Sequence, residues 1–198
     1  MYEFILKGGV LIWPILFCSV ASLTIIIERF WFFHRINVKI ANLLSRIRVL
    51  LKENCYDEAL HLAEETKGPL PHIIAVAIKI RKKDLNEKER ILNRAGSKFV
   101  RILEKNLNFL AIIANITPLL GLLGTVVGMI QTFMKIQLLG GNVDVVVLSG
   151  GIWQALITTA AGLTVAIPTM VFFHYFEEKV DEQISIMKEI ASDLLTVE

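Results

Sequence analysis

"GIWQALITTAAGLTVAIP", residues 151–168, lies within a run from Val145 to Phe173 that has no ionisable side chain. A stretch of 29 residues without charge is longer than the roughly 20 needed to cross a bilayer core as helix. Two other stretches share the property: Val10–Ile27, with 18 residues, and Asn106–Met134, with 29. The chain of 198 residues, 54% hydrophobic and 20% charged, therefore reads as an integral membrane protein and not as a soluble domain with a rich core. The first run is longer than the apolar part of a typical signal peptide and no A-x-A site follows it. It is expected to stay as an anchor.

The fold class expected is all-α, with three transmembrane helices at 10–33, 106–136 and 145–175, two of them extended into a cytoplasmic helical bundle. A cytoplasmic helical region at 34–105 and a cytoplasmic tail at 176–198 complete one integrated unit. Basic residues set the orientation, because loops rich in Lys and Arg stay inside. Residues 34–105 hold 16 of the 21 Lys and Arg against nine acids, and the connector Gln137–Asp144 has no basic residue. The N-terminus is thus expected outside and the C-terminus in the cytoplasm. The overall charge of +2 is no signature of nucleic-acid binding, and Cys18 and Cys55, on different levels of such a chain, are not expected to pair.

Between the first two spans, "NVKIANLLSRIRVLLKEN" spaces its apolar residues as a separate amphipathic helix. "YDEALHLAEETKG" follows, with acids in its first turn and Gly68 as an expected left-handed cap. After Pro69 and Pro71, "HIIAVAIKIRKK" predicts a third short helix. "DLNEKERILNRAGSKFVRILEKNLNFL" then runs without a breaker into the second span, which predicts one helix of about 50 residues projecting well beyond the membrane.

No enzyme signature is present in the sequence. The histidines His34, His61, His72 and His174 show no metal-ligand spacing. The glycines of "GLLGTVVG" lie inside a membrane span, where the helix consumes the backbone donors that a phosphate loop would need. No cofactor is expected.

What the spans carry instead is small and hydroxylated. Thr117, Gly121, Gly124, Thr125 and Gly128 recur every three or four residues in the second span, and Gly151, Gln154, Thr158, Ala161, Gly162, Val165 and Thr169 fall on one arc of the third. Gly121, Gly124, Gly128 and Gly162 suit close helix packing. Some hydroxyls could simply bond back to their own helix. An amide in lipid, however, needs partners or water, so Gln154, Thr158 and Thr125 predict a wetted seam or pore. Such a wall does not titrate near neutral pH. Any moving proton would need an acid from another chain, which predicts a membrane partner.

"ITPLLGLLGTVVGMIQTF" at 116–133 and "GIWQALITTAAGLTVAIP", with the cytoplasmic "YDEALHLAEETKGPLPHII", closely resemble the ExbB/TolQ family, relatives of the flagellar stator protein MotA. The resemblance covers nearly the whole chain in the same order. It implies a homopentamer in the bacterial inner membrane whose second and third spans surround the single helices of an ExbD- or TolR-like partner. In that family each partner helix carries an Asp that exchanges a proton, and the motion drives TonB or Tol–Pal work at the outer membrane. By motif position, Thr125 and Thr159 correspond to pore-facing threonines beside that Asp. Gln154 stands where the family commonly has Glu, and a Gln cannot exchange a proton. The same departure keeps a second reading open, a non-conducting scaffold that oligomerises and anchors a periplasmic partner.

Overall fold

The computed structural model describes residues 9–66, 68–138 and 145–196. Among the described residues the chain is all-α: α1 (Ile12–Lys52), α2 (Tyr56–Glu65), α3 (Pro69–Lys79), α4 (Leu85–Leu103), α5 (Leu107–Leu138) and α6 (Val145–Thr196). Three stretches are long and apolar enough to cross a membrane: Ile12–Ile36, Leu107–Leu138 and Leu148–Ser192. Asp144 lies outside the described residues, as does most of the 137–144 connector.

The helices fall into two compact units. One holds residues 9–27 and Asn106–Tyr175; the other holds Glu28–Lys105 and residues 176–196. In the first unit most large apolar side chains face outward, among them Trp13, Phe17, Leu119, Ile130, Leu156 and Ile167. That inversion of the soluble pattern is what a lipid solvent requires, because lipid tails are as apolar as leucine. Pro118 and Pro168 sit inside α5 and α6, a placement tolerated in membrane helices.

The second unit has an ordinary apolar core. Its centre is α3, where Leu70, Ile73, Ile74, Ala77 and Ile78 are all buried. Ala59 and Ala63 of α2, Phe99 and Leu103 of α4, and Leu43 and Ile47 of α1 are also buried in this unit. Phe33 stacks on Phe176 with ring centroids 5.8 Å apart. On the rim, Lys79 Nζ lies 2.5 Å from Glu64 Oε1. That hydrogen bond, helped by the ammonium charge, holds the Glu64 carboxyl below its ordinary value. A lowered acid stabilises the fold above its unfolded pKa and loses that contribution as pH falls through the folded one. The Lys79→Gln variant is expected to return Glu64 to the ordinary carboxylate range in an NMR titration.

Three local expectations are corrected. The amphipathic stretch after the first span is not a separate helix: α1 continues to Lys52, since no Gly or Pro interrupts residues 15–52. Gly68 is not a left-handed cap. Its φ of 163° is extended, and it is the N-cap of α3, with Pro69 opening that helix. The left-handed residue at the end of α1 is Asn54, with φ 59°, and Cys55 N–H bonds back to Leu50 O at 2.9 Å.

The third correction concerns the long helix expected to enter the second span. It breaks between Leu103 and Leu107, where Asn106 takes φ 64°. Asparagine tolerates this conformation better than other residues with a Cβ. The break frees carbonyls at the end of α4, and Arg29 takes one of them: its Nη1 donates to Leu103 O at 3.3 Å. Arg29 is only 1% exposed, pairs through Nε with Glu28 Oε2 at 2.7 Å, and lies 4.6 Å from the Phe32 ring centroid. The Arg29→Met variant should lose about 1–3 kcal/mol, the cost of a buried acceptor left bare. Glu28 is 46% exposed and recovers water, which keeps the loss below that of a fully buried pair. Thermal unfolding in detergent measures it.

Candidate functional site

The two spans that carried the small and hydroxylated residues pack as an antiparallel pair. Successive contacts run in opposite directions along them. A Cβ built on Gly162 would stand 2.8 Å from Thr117 O; one on Gly121 would stand 3.1 Å from Thr159 Cα; one on Gly128 would stand 3.2 Å from Ala155 Cβ. At Gly124 it would collide with the Thr158 methyl, and at Gly151 with the Thr132 hydroxyl. At Thr117, Thr132, Thr158 and Thr159 the other helix presents a glycine. The backbones can therefore approach closely, which is how membrane helices gain packing without a hydrophobic driving force.

Thr117, Thr132, Thr158 and Ala155 are buried along the seam. Their hydroxyls return to their own helices: Thr117 donates to Ile113 O at 2.6 Å, Thr132 to Gly128 O at 2.8 Å, and Thr158 to Gln154 O at 3.0 Å. Thr158, expected on the wet wall, is thus 1% exposed, with its methyl filling the space that Gly124 leaves. Thr132, which faces Gly151 of the arc already named, extends the seam beyond the residues singled out from the sequence. The step of three or four from Gly121 through Gly128 leads on to Thr132.

Thr125 and Thr159 stand at the margin of the seam, both half-buried. Thr159 Oγ1 crosses to the neighbouring helix and donates to Gly121 O at 2.9 Å. Thr125 Oγ1 donates to Leu122 O at 2.6 Å. With successive residues turned by about 100°, Thr159 lies roughly 60° to one side of the centre line of α6 and Gln154 roughly 80° to the other. Because the helices are antiparallel, Thr125, roughly 55° off the centre line of α5, shares the flank of Thr159.

Gln154 does not join them. Its amide nitrogen approaches Gly9, where an added Cβ would lie only 2.7 Å away, and Gly9 has φ 72°. Thr125 and Thr159 thus share one flank, Thr158 is buried between the helices, and Gln154 lies on the opposite flank beside Gly9, ahead of α1. Between residues 9 and 27, 107 and 134, and 145 and 176, there is no Asp, Glu, Lys or Arg. Among the described residues no cluster of three or more His, Cys, Asp or Glu could hold a metal.

A family model described as the MotA/TolQ/ExbB proton channel family matches residues 65–189, including both helices of the seam. The chain belongs to this family. Among relatives of this MotA/TolQ/ExbB member, the ExbB-like 1 protein of Synechocystis sp. is 29% identical over 192 residues, which covers 96% of this chain and 75% of that protein. The biopolymer transport protein ExbB1 of Vibrio cholerae is 29% identical over 168 residues, 82% of this chain and 72% of that protein. The Tol-Pal system protein TolQ of Haemophilus influenzae is 34% identical over 93 residues, 46% of this chain and 40% of that protein.

Proposed function

We propose that this chain is the ion-conducting motor subunit of a bacterial inner-membrane complex. It works as a homo-oligomer, pentameric by family resemblance, around an ExbD/TolR-like single-span partner. It uses the proton motive force to energise TonB-dependent import or Tol–Pal function, with a TonB- or TolA-like protein downstream. Its N-terminus is periplasmic and its C-terminus cytoplasmic. The observation that carries this reading is that Thr125 and Thr159 share one flank of a tightly packed helix pair whose stretches 107–134 and 145–176 carry no carboxylate.

Both hydroxyl hydrogens are engaged by backbone carbonyls, at 2.6 and 2.9 Å. What each threonine offers outward is therefore lone pairs. Lone pairs accept from a protonated carboxyl and do not donate to a carboxylate, so a partner Asp facing this flank is stabilised in its neutral form. The threonine wall thus favours proton loading of the partner acid, and release follows where that acid leaves the wall. Proton uptake by vesicles containing this chain and its partner tests the reading. Uptake at background with the partner Asp intact would sink it.

The same two bonds favour a second reading. If the threonines serve only to tie α5 to α6, the chain is a non-conducting scaffold that oligomerises and anchors a periplasmic partner. That reading expects replacement of both threonines by valine to preserve energised transport whenever assembly survives.

A further inference from the structure

At the far end of its apolar stretch α1 meets its own unit through one side. Arg29 Nη1 donates to Leu103 O, and the buried Phe33 ring stacks on Phe176. With successive residues turned by about 100°, Trp31 and Arg35 point roughly 140–180° away from the mean direction of those two contacts. Trp31 is 68% exposed, and Arg35 is exposed beside it. The Arg35 guanidinium lies 5.7 Å from the Trp31 ring centroid. Helical side chains lean toward the N-terminus, so Arg35 reaches back over the ring that precedes it by one turn.

That lean fixes the depth of the charge. The apolar stretch Ile12–Ile36 has 25 residues, about 37 Å of helix, against a hydrocarbon core of about 30 Å. Its end therefore stands among headgroups, a layer about 5–8 Å deep. The charge-free run stops at Ile27; the Trp31 backbone follows after about 6 Å and that of Arg35 after about 12 Å. By reaching back to the indole, Arg35 brings its cation to the level of the lipid phosphates.

No group of α1 neutralises it there. Glu28 is the one acid of the helix, and both its oxygens are held by Arg29, whose Nε and Nη2 donate at 2.7 and 2.9 Å. Among the described residues Arg35 has no ion pair.

We propose that Trp31 and Arg35 form a binding site for one phospholipid of net negative charge, whose phosphate accepts from the Arg35 guanidinium while the indole lies beside its glycerol. Charge complementarity selects this occupant. A zwitterionic lipid brings its own cation to the phosphate, whereas an anionic one supplies the countercharge that Arg35 lacks. Stacking on the indole sets the guanidinium plane and leaves its edge N–H groups to the phosphate oxygens, a geometry that lysine does not reproduce. The site belongs to a single chain and holds whichever way the chain is oriented and whatever it conducts.

The test uses the full chain in phosphatidylcholine vesicles, with Trp13→Phe and Trp153→Phe so that Trp31 is the one indole left of three. Bromine on a lipid acyl chain quenches an indole that it touches. A minor fraction of brominated phosphatidylglycerol should quench Trp31 more than the same fraction of brominated phosphatidylcholine, with a preference of about fivefold, as expected for one cation at a membrane surface. Arg35→Gln should bring the two lipids level, and Arg35→Lys should keep a reduced preference. Arg46→Gln, also at an exposed position of α1 but about 16 Å further along, should leave the preference unchanged. Equal quenching by both lipids when Arg35 is present, or a preference that survives Arg35→Gln, overturns the inference. So does a preference abolished by inorganic phosphate but not by chloride at the same ionic strength, which would mark a site for soluble phosphate. Trp31 fluorescence that neither lipid quenches overturns it as well, because the indole would then not face the bilayer.

Discussion

The Gly162→Leu variant should fail to accumulate as a folded membrane protein. The glycine faces the Thr117 carbonyl at a separation that leaves an added Cβ 2.8 Å from that oxygen, with Gly121 backbone atoms at 3.1 and 3.3 Å. Every nearest neighbour is main chain, so no rotamer change can relieve the contact. Overpacking commonly costs about 1–3 kcal/mol when side chains can give way, and here the helices themselves must separate. Separation also exposes the glycines and buried threonines of the seam to lipid. Even Gly162→Ala should lower stability measurably. Gly124→Leu meets the Thr158 side chain and should lose the oligomer on native electrophoresis as well. Gly150 is the control: nothing lies within 4 Å of its added Cβ, and Gly150→Ala should be neutral or gain up to about 1 kcal/mol from helix propensity. An intact oligomer from Gly162→Leu at wild-type yield would show that the seam is not the close contact described above.

Proton transport should fall to background in the Thr125→Val, Thr159→Val double variant, with little change in stability. Valine keeps the branched shape and removes only the oxygen. Interhelical hydrogen bonds in membranes average about 0.6 kcal/mol, so the loss of the Thr159 to Gly121 bond should leave assembly largely intact, as native electrophoresis would report. The lone pairs that would receive the partner's protonated carboxyl disappear with the oxygens. Serine at both positions should retain transport, because it restores the oxygen without the methyl. Full uptake by the double valine variant would leave the scaffold reading in possession of the field.

Charge-free runs made the three membrane helices legible, because so long an apolar stretch has few other uses. The seam was legible as well: Gly121, Gly124 and Gly128 at helical spacing announce close packing whatever the partner helix is. What a single helix could not disclose was how its arc divides. Gln154 and Thr158 lie about 40° apart on a helical wheel, with Thr159 about 100° further round, but the wheel does not say what each meets: one flanks the start of α1, one is sealed under Gly124, and one reaches Gly121 O. Only the pairing of α5 with α6 separates them.

The break at Asn106 escaped notice for a different reason. Asparagine is no helix breaker by composition, and the side chain that meets a carbonyl at the end of α4, Arg29 on Leu103 O, is far away in sequence. Gly68 misled in the opposite direction. A glycine after a helix suggests a left-handed cap, but the following proline opens a new helix and leaves Gly68 extended.

Gln154 and the threonine pair stand back to back on the hairpin. A carboxyl introduced by Gln154→Glu would therefore act on whatever borders the beginning of α1, and would add no second acid to the side where Thr125 and Thr159 lie. The hairpin is in this sense a partition, so a side chain exchanged at Gln154 meets different neighbours from one exchanged at Thr125 or Thr159.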